Sequence, residues 1–251
     1  MQPLLILYEE YDLSAAWLAD RLRARGRAVR ALTAATLGAE TLRWHHRLGA
    51  GGVDFILTHS NGQTLSPDDC GGVVNRLHYL PLALLARIGG EDEDYARSEL
   101  YALFLSWMAA LPTPILNPPT PQGLAGNWRH PSAWTMLAQA AGLPVVAWRQ
   151  DSAGEPERDW TIAEQPGEIC VVAVGGRLVQ PGWPATIDLT AAVEHGCIAL
   201  ARAAGVGLLG VRLIPDDAIP EGWRFVGANL LPDLAAGGEP MVDAIDAAFA
   251  S

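Results

Sequence analysis

The sequence predicts an α/β protein: an open α/β domain over residues 1–118, followed by an α+β domain over residues 119–251. Three observations predict it. The chain opens on an apolar run, a capped amphipathic stretch and a second apolar run, which is the β-α-β unit of a parallel sheet with a crossover helix. Pro118, Pro119, Pro121, Gly123 and Gly126 then break the chain near its middle, as a domain boundary or exposed connecting loop does. Beyond that break, strand-like runs joined by Gly-Gly alternate with helical stretches closed by Gly142 and Gly205.

Leu4 to Tyr8 reads as the first strand, and Asp12-Leu-Ser14 offers caps for a helix through Arg25 that Gly26 closes. Ala28 to Thr33 is the second strand. His45 and His46, beside Trp44, fall on a further strand and point to opposite faces as packing and surface residues. Val53 to Thr58 and Gln63 to Leu65 flank Asn61-Gly62, the pairing of a type I′ hairpin turn, with His59 expected to be solvated at the turn. Asp68 and Asp69, before Cys70 and another short strand, Val73 to Leu77, either bind a metal or, as adjacent acids more often do, solvate their loop. Glu91 to Leu111 has helical periodicity with an acidic start suited to the helix dipole. Ile115 to Asn117 reads as the last strand of the first domain.

In the second domain a helix is expected from Pro131 to Ala141, then a strand from Val145 to Trp148 and a polar loop from Gln150 to Glu168. Ile169 to Val174 and Arg177 to Gln180 form a hairpin about Gly175-Gly176. Asp188 is expected to cap a helix to Ala204, with strands at Leu208 to Leu213 and Trp223 to Ala228 and a short helix from Met241.

With half of its 251 residues apolar, the chain can bury a sizeable core. Its longest apolar stretches fall short of the roughly 20 residues that cross a bilayer, and the start lacks a signal-peptide pattern, so no membrane partner is expected. Three cysteines without CxxC spacing fit a reducing cytoplasm and give neither a disulfide framework nor a zinc site. A formal charge of −11 argues against nucleic acid. All 17 basic residues are Arg, which either a GC-rich genome or loss of functional lysine explains; without Lys there is no Schiff base, P-loop lysine or lysine clamp on a phosphate.

Several residues are candidate site positions. Arg76 sits in an apolar strand beside Asn75 and must meet a ligand anion or an internal carboxylate; Asp94, Arg97 and Glu99 on the long helix are available to such a network. Trp128 and Arg129 follow the Pro-rich loop and precede a helix, where they face a cleft or pack a domain junction. Cys170 and Cys197 read as small buried hydrophobes.

The segments Gly72-Val-Val-Asn-Arg-Leu77, Asp94-Tyr-Ala-Arg-Ser-Glu-Leu100, Pro114-Ile-Leu-Asn117, Gly142-Leu-Pro-Val-Val146, Gly205-Val-Gly-Leu-Leu-Gly-Val211 and Phe225-Val-Gly-Ala-Asn-Leu-Leu-Pro-Asp233, in this order, resemble the ATP-grasp family. The likeness is to its carboxylate-amine ligases, including glutathione-synthetase-like enzymes and the ligases that cross-link graspetide precursor peptides. It implies a pre-ATP-grasp-like first domain and a reduced ATP-grasp-like second domain.

The family holds ATP with Lys and with magnesium on strands that end in patterns such as Val-Asp-Leu and Glu-Val-Asn-Pro. Here those stretches are Val211-Arg-Leu213 and Gly227-Ala-Asn-Leu230, so Arg212 and Gly227 stand where Asp and Glu are expected and only Asn229 is kept. About twenty residues, Arg149 to Glu168, replace the family's glycine-rich lid. The expectation is a pseudoenzyme without cofactor or metal, binding a peptide or small carboxylate through Asn75, Arg76, Trp128, Arg129 and Asn229, with a peptide-modifying pathway as its setting. The resemblance also implies a homodimer and allows a partner ligase. The alternatives are an active ligase with Arg in place of Lys, ATP-independent chemistry in the interdomain cleft, or a regulatory subunit of an intact ligase.

Overall fold

Leu4, Leu5, Ile6 and Leu7 have no exposed surface, and a run without polar alternation suits the central strand of a parallel sheet covered on both faces. The computed structural model describes residues 2–39, 41–49, 52–79, 92–111, 114–146, 167–182 and 187–250. They fall into two units, Met1–Asn127 with Phe249–Ser251, and Trp128–Ala248.

In the first unit β1 (Leu4–Tyr8), α1 (Leu13–Ala24) and β2 (Val29–Thr33) make the expected parallel β-α-β. Asp12 caps α1, its side chain accepting from the Ala15 amide at 3.0 Å. A short helix, α2 (Ala34–Ala39), follows; its six residues carry too little periodicity to show in the sequence. β3 (Thr41–Gly49), β4 (Gly52–His59) and β5 (Thr64–Leu65) form a separate antiparallel sheet. Then β6 (Gly72–Arg76), α3 (Glu93–Ala109) and β7 (Ile115–Leu116) complete a parallel sheet of order β2-β1-β6-β7.

α3 carries Phe104, Trp107 and Met108 into one cluster with Leu5 and Leu7 of β1 and Phe55 and Leu57 of β4. Trp107 meets Trp44 edge-on at 5.2 Å, Phe55 at 5.7 Å and Phe104 at 5.6 Å, geometries that the ring quadrupole favours. Gly72 is needed at its position: a Cβ there would collide with the Phe249 ring.

Three local expectations in this unit are corrected. The β4–β5 turn is not type I′, since only Gly62 takes a positive φ, at 79°. Asn61 accepts the Gln63 amide on its own side chain at 2.9 Å, an Asx turn that leaves Gly62 to close a three-residue loop onto the His59 carbonyl. His59 is buried rather than solvated. Asp69 also does more than solvate its loop: it accepts from the Ser66 amide and hydroxyl at 2.8 Å each and lies 3.5 Å from Arg30.

The second unit contains α4 (Pro131–Ala140), β8 (Ile169–Val174), β9 (Arg177–Val179), α5 (Ala191–Ala204), β10 (Leu208–Pro215), β11 (Trp223–Asn229) and α6 (Gly238–Ala248). Its antiparallel sheet runs β11-β10-β8-β9. Gly175 and Gly176, both at positive φ, close the predicted β8–β9 hairpin. The cap of α5 is Thr190, whose hydroxyl accepts the Val193 amide at 3.4 Å, and not Asp188. The expected strand at Val145 is a single parallel bridge to Phe225. The remainder of that strand beyond residue 146 and most of the expected loop, residues 150–166, lie outside the described residues. Among the described residues, no helix is long and apolar enough to cross a membrane.

Candidate functional site

Alternation along β10 divides its side chains between two faces. Leu209, Val211 and Leu213 join Val171, Phe225 and the helices α4 and α5 in the core of the second unit. Gly210 and Arg212 point the other way. Arg212 is in register with Cys170 on β8 and with Gly227 on β11, so the three make one row across the sheet.

The guanidinium dominates that row. Its Nε and Nη2 both reach the Glu168 carboxylate, the second at 2.9 Å, in a fork matched to two oxygens. The Glu168 side chain is 8% exposed and that of Arg212 23%. Arg212 also lies across Gly227: a Cβ there would sit 3.5 Å from its Nη1, in ordinary contact. Burial pushes the Cys170 thiol up to about 11; the Arg212 charge opposes that, while Glu168 and Asp233 add to it.

The positions where the resemblance expects magnesium-binding carboxylates are therefore cross-strand partners filled by a guanidinium and a bare backbone. A divalent cation does not fit there, because a fixed positive charge occupies the row and Glu168 is already held by it. Among the described residues no group of three or more His, Cys, Asp or Glu side chains is placed to hold a metal ion. Asn229, in register with Gly210, turns its side chain onto its own strand end, accepting the Leu231 amide at 2.9 Å and donating to the Leu231 carbonyl at 3.1 Å.

Asn75 and Arg76 end β6, beside the end of β1, where the order β2-β1-β6-β7 reverses direction. Open α/β sheets bind ligands at such ends. Both side chains are nevertheless buried and turned inward. Asn75 donates to the carbonyls of Asn117 at 2.9 Å and Leu124 at 2.6 Å, tying the Pro-rich loop to the sheet.

Arg76 donates from Nε to Asp12 at 2.7 Å and from Nη2 to Asp12 and to the Ser14 hydroxyl at 3.2 Å each. Burial raises the Asp12 pKa, but the Arg76 hydrogen bond and charge, the Ala15 amide and the Ser14 hydroxyl together bring it below its ordinary value. The carboxylate for Arg76 thus comes from the cap of α1, not from α3, whose Arg97 pairs with Glu93 at 2.8 Å. Asp12 and Arg76 lie 64 positions apart, and only the adjacency of β1 and β6 brings them together.

In the second unit Trp128 is 68% exposed, its ring edge-on to His130 at 6.4 Å. Arg129 turns away from solvent: it donates to the Ala204 carbonyl at 3.3 Å and lies 5.5 Å over the Trp134 ring. Of the five predicted site residues, Trp128 presents the free side-chain face; the others hold the fold or a turn.

No protein-family model matches the sequence, and no curated protein matches it. Solved structures do. The macrocyclase MdnC bound with precursor peptide MdnA, from Microcystis aeruginosa, matches over 92% of both chains with a TM-score of 0.68 and 13% identity. A RiPP-associated ATP-grasp ligase of Chryseobacterium gregarium, in complex with ADP and a leader and core peptide, matches over 98% of this chain and 96% of its own, with a TM-score of 0.68 and 11% identity. The ATP-grasp ligase PsnB, complexed with minimal precursor, Mg and ADP, matches over 99% and 98%, with a TM-score of 0.62 and 14% identity. At such identities the likeness is one of fold, and across nearly its whole length this chain has the fold of the ATP-grasp ligases.

Proposed function

We propose that this protein recognises a peptide on an ATP-grasp scaffold that no longer handles ATP, as an accessory or repurposed component of a pathway that modifies peptides. One observation carries the reading: Arg212 lies over Gly227 and holds Glu168, where a nucleotide-bound metal would need free carboxylates. The absence of Lys removes the usual clamp for the phosphates. Three proteins of this fold were solved with a precursor peptide, a leader and core peptide, or a minimal precursor, which supports a peptide as the ligand class here. Fold alone does not transmit activity, so the nucleotide-free part of the reading is supported by the site chemistry and the peptide part by the company this fold keeps.

On this reading residues 119–251 are a reduced ATP-grasp domain with much of the nucleotide lid removed, Trp128 is the outward contact for the peptide, and the protein works in the cytoplasm as a homodimer. Calorimetry with Mg-ATP tests it. No saturable heat is expected up to about 1 mM, and a Kd below that, corresponding to roughly −4 kcal/mol, would overturn the nucleotide-free reading in favour of a ligase that uses Arg. Ultracentrifugation checks the dimer. A stable complex with an intact ligase in co-purification would assign the chain as that enzyme's regulatory subunit instead.

A further inference from the structure

A second feature, wholly within the first unit, is a pocket of about 570 Å³ at the carboxyl ends of β6 and β7. Its wall includes His78, Tyr79, Arg97, Tyr101, Gln122 and Leu124. That volume lies in the usual range for small-ligand sites, about 300–1,000 Å³, and the position is where open parallel sheets place ligands.

Polar side chains fix the walls at His78, Tyr79, Tyr101 and Leu124. Buried Glu9 accepts the amides of His78 and Tyr79, both at 3.0 Å. Asn75 holds the Leu124 carbonyl, and the Tyr101 hydroxyl donates to the Thr120 carbonyl at 2.8 Å. With its hydroxyl engaged, Tyr101 offers the pocket its ring. His78 and Tyr79 meet edge-on at 4.4 Å, which adds two more aromatic surfaces. Such a set of walls is organised before any ligand arrives, which lowers the cost of binding.

The described lining itself carries positive charge, with Glu9 and Glu93 set behind or beside it. In a chain with 28 acidic residues, none of the described residues lining the pocket is acidic, and Arg97 supplies a guanidinium. Arg97 pairs with Glu93 one helical turn away, with side chains 48% and 47% exposed. Exposed pairs of this spacing contribute only about 0.3–0.5 kcal/mol, so exchanging Glu93 for a ligand carboxylate costs little.

We propose that this pocket binds an aromatic ring joined through a few bonds to a carboxylate, the ring against Tyr101, His78 and Tyr79 and the carboxylate on Arg97. The C-terminal aromatic residue of a peptide and a free aromatic acid both have this chemistry. The proposal deepens the peptide reading and rests on it for the physiological source of the ligand. The two fail separately, since tight Mg-ATP binding would sink that reading without touching discrimination at this pocket.

The test is calorimetry with N-acetyltyrosine against N-acetyltyrosinamide, and with a hexapeptide ending in Tyr against its C-terminal amide. Each acid is expected to bind about tenfold tighter than its amide, as one charge-assisted hydrogen bond provides. Arg97→Gln, on an exposed helix face, should erase that difference with the thermal transition unchanged. Glu93→Gln should tighten the acids about twofold by freeing Arg97. Tyr101→Leu should weaken acid and amide together. A hexapeptide that outbinds N-acetyltyrosine identifies a peptide terminus as the source, and equal affinity identifies a free acid. The proposal is overturned if acid and amide bind alike, if Arg97→Gln keeps the preference, or if neither acid gives saturable heat up to about 10 mM.

Discussion

Arg212 lies across Gly227, its register partner on the neighbouring strand, and grips Glu168 with two guanidinium nitrogens. Removing the guanidinium takes two charge-assisted hydrogen bonds from a mostly buried carboxylate. Arg212→Ala should therefore lower stability by about 2 kcal/mol in urea unfolding, and adding Glu168→Gln should recover part of the loss, because the buried charge is then gone. Exchanging Arg212→Asp and Gly227→Glu together puts two carboxylates beside Glu168. That double variant is expected to gain Mg²⁺ or Mn²⁺ binding at about millimolar affinity in calorimetry, with no saturable heat expected from the parent.

The Asp12–Arg76 pair sets an acid sensitivity. The folded pKa of Asp12 lies below its ordinary value of 3.8, so the unfolded chain takes up the proton first as pH falls. The pair's stabilisation is complete above that ordinary value and is lost as pH drops through the lower, folded one. Urea midpoints should hold between about pH 7 and pH 5 as far as this pair is concerned, and fall below about pH 4. Asp12→Asn should flatten the acid limb. Arg76→Met should cost about 3 kcal/mol at neutral pH, since it strips one partner from a buried ion pair.

Asn75 has two carbonyls to satisfy and no exposed surface. Asn75→Ala should destabilise by about 2 kcal/mol through unpaired buried carbonyls. Asn75→Asp should be worse, because a carboxylate presents acceptors to acceptors. Equal midpoints for the two variants in thermal melts would contradict this assignment.

All three thiols are held protonated at neutral pH. Burial pushes Cys70 and Cys197 up to about 12 and Cys170 to about 11. Iodoacetamide should leave the native protein unlabelled over an hour-scale incubation and modify all three cysteines after unfolding, as read by mass spectrometry. Rapid labelling of Cys170 in the native protein would show that the Arg212 charge outweighs burial.

Elements with a strong local signal were legible in advance. The apolar run Leu4–Leu7, the Asp12 cap, the Gly175-Gly176 turn and the Gly205 stop each carry their structure in a few neighbouring residues. Weak local signals misled: Asn61-Gly62 has the pairing for type I′, yet the Asx bond to Gln63 selected another turn, and Asp188 lost the α5 cap to Thr190. Of the candidate site, Arg212 and Gly227 were singled out through the resemblance of their segments to the ATP-grasp family. That Arg76 and Asn75 would be turned inward was not, because their partners come from parts of the chain 42 to 64 positions away.

The amino-acid sequence by itself determined that no ammonium side chain is available to any site and that β10 carries an arginine among apolar residues, since both are matters of composition and position. Tertiary structure decided which cations stay available. Strand adjacency gave Arg76 to Asp12, the β8–β10 register gave Arg212 to Glu168, and the carboxyl end of α5 at Ala204 took Arg129, while Arg97 stays on an exposed pair. The reason is electrostatic: a guanidinium drawn into low dielectric must be paired at once, and its partner is whatever acceptor the topology brings within about 3 Å.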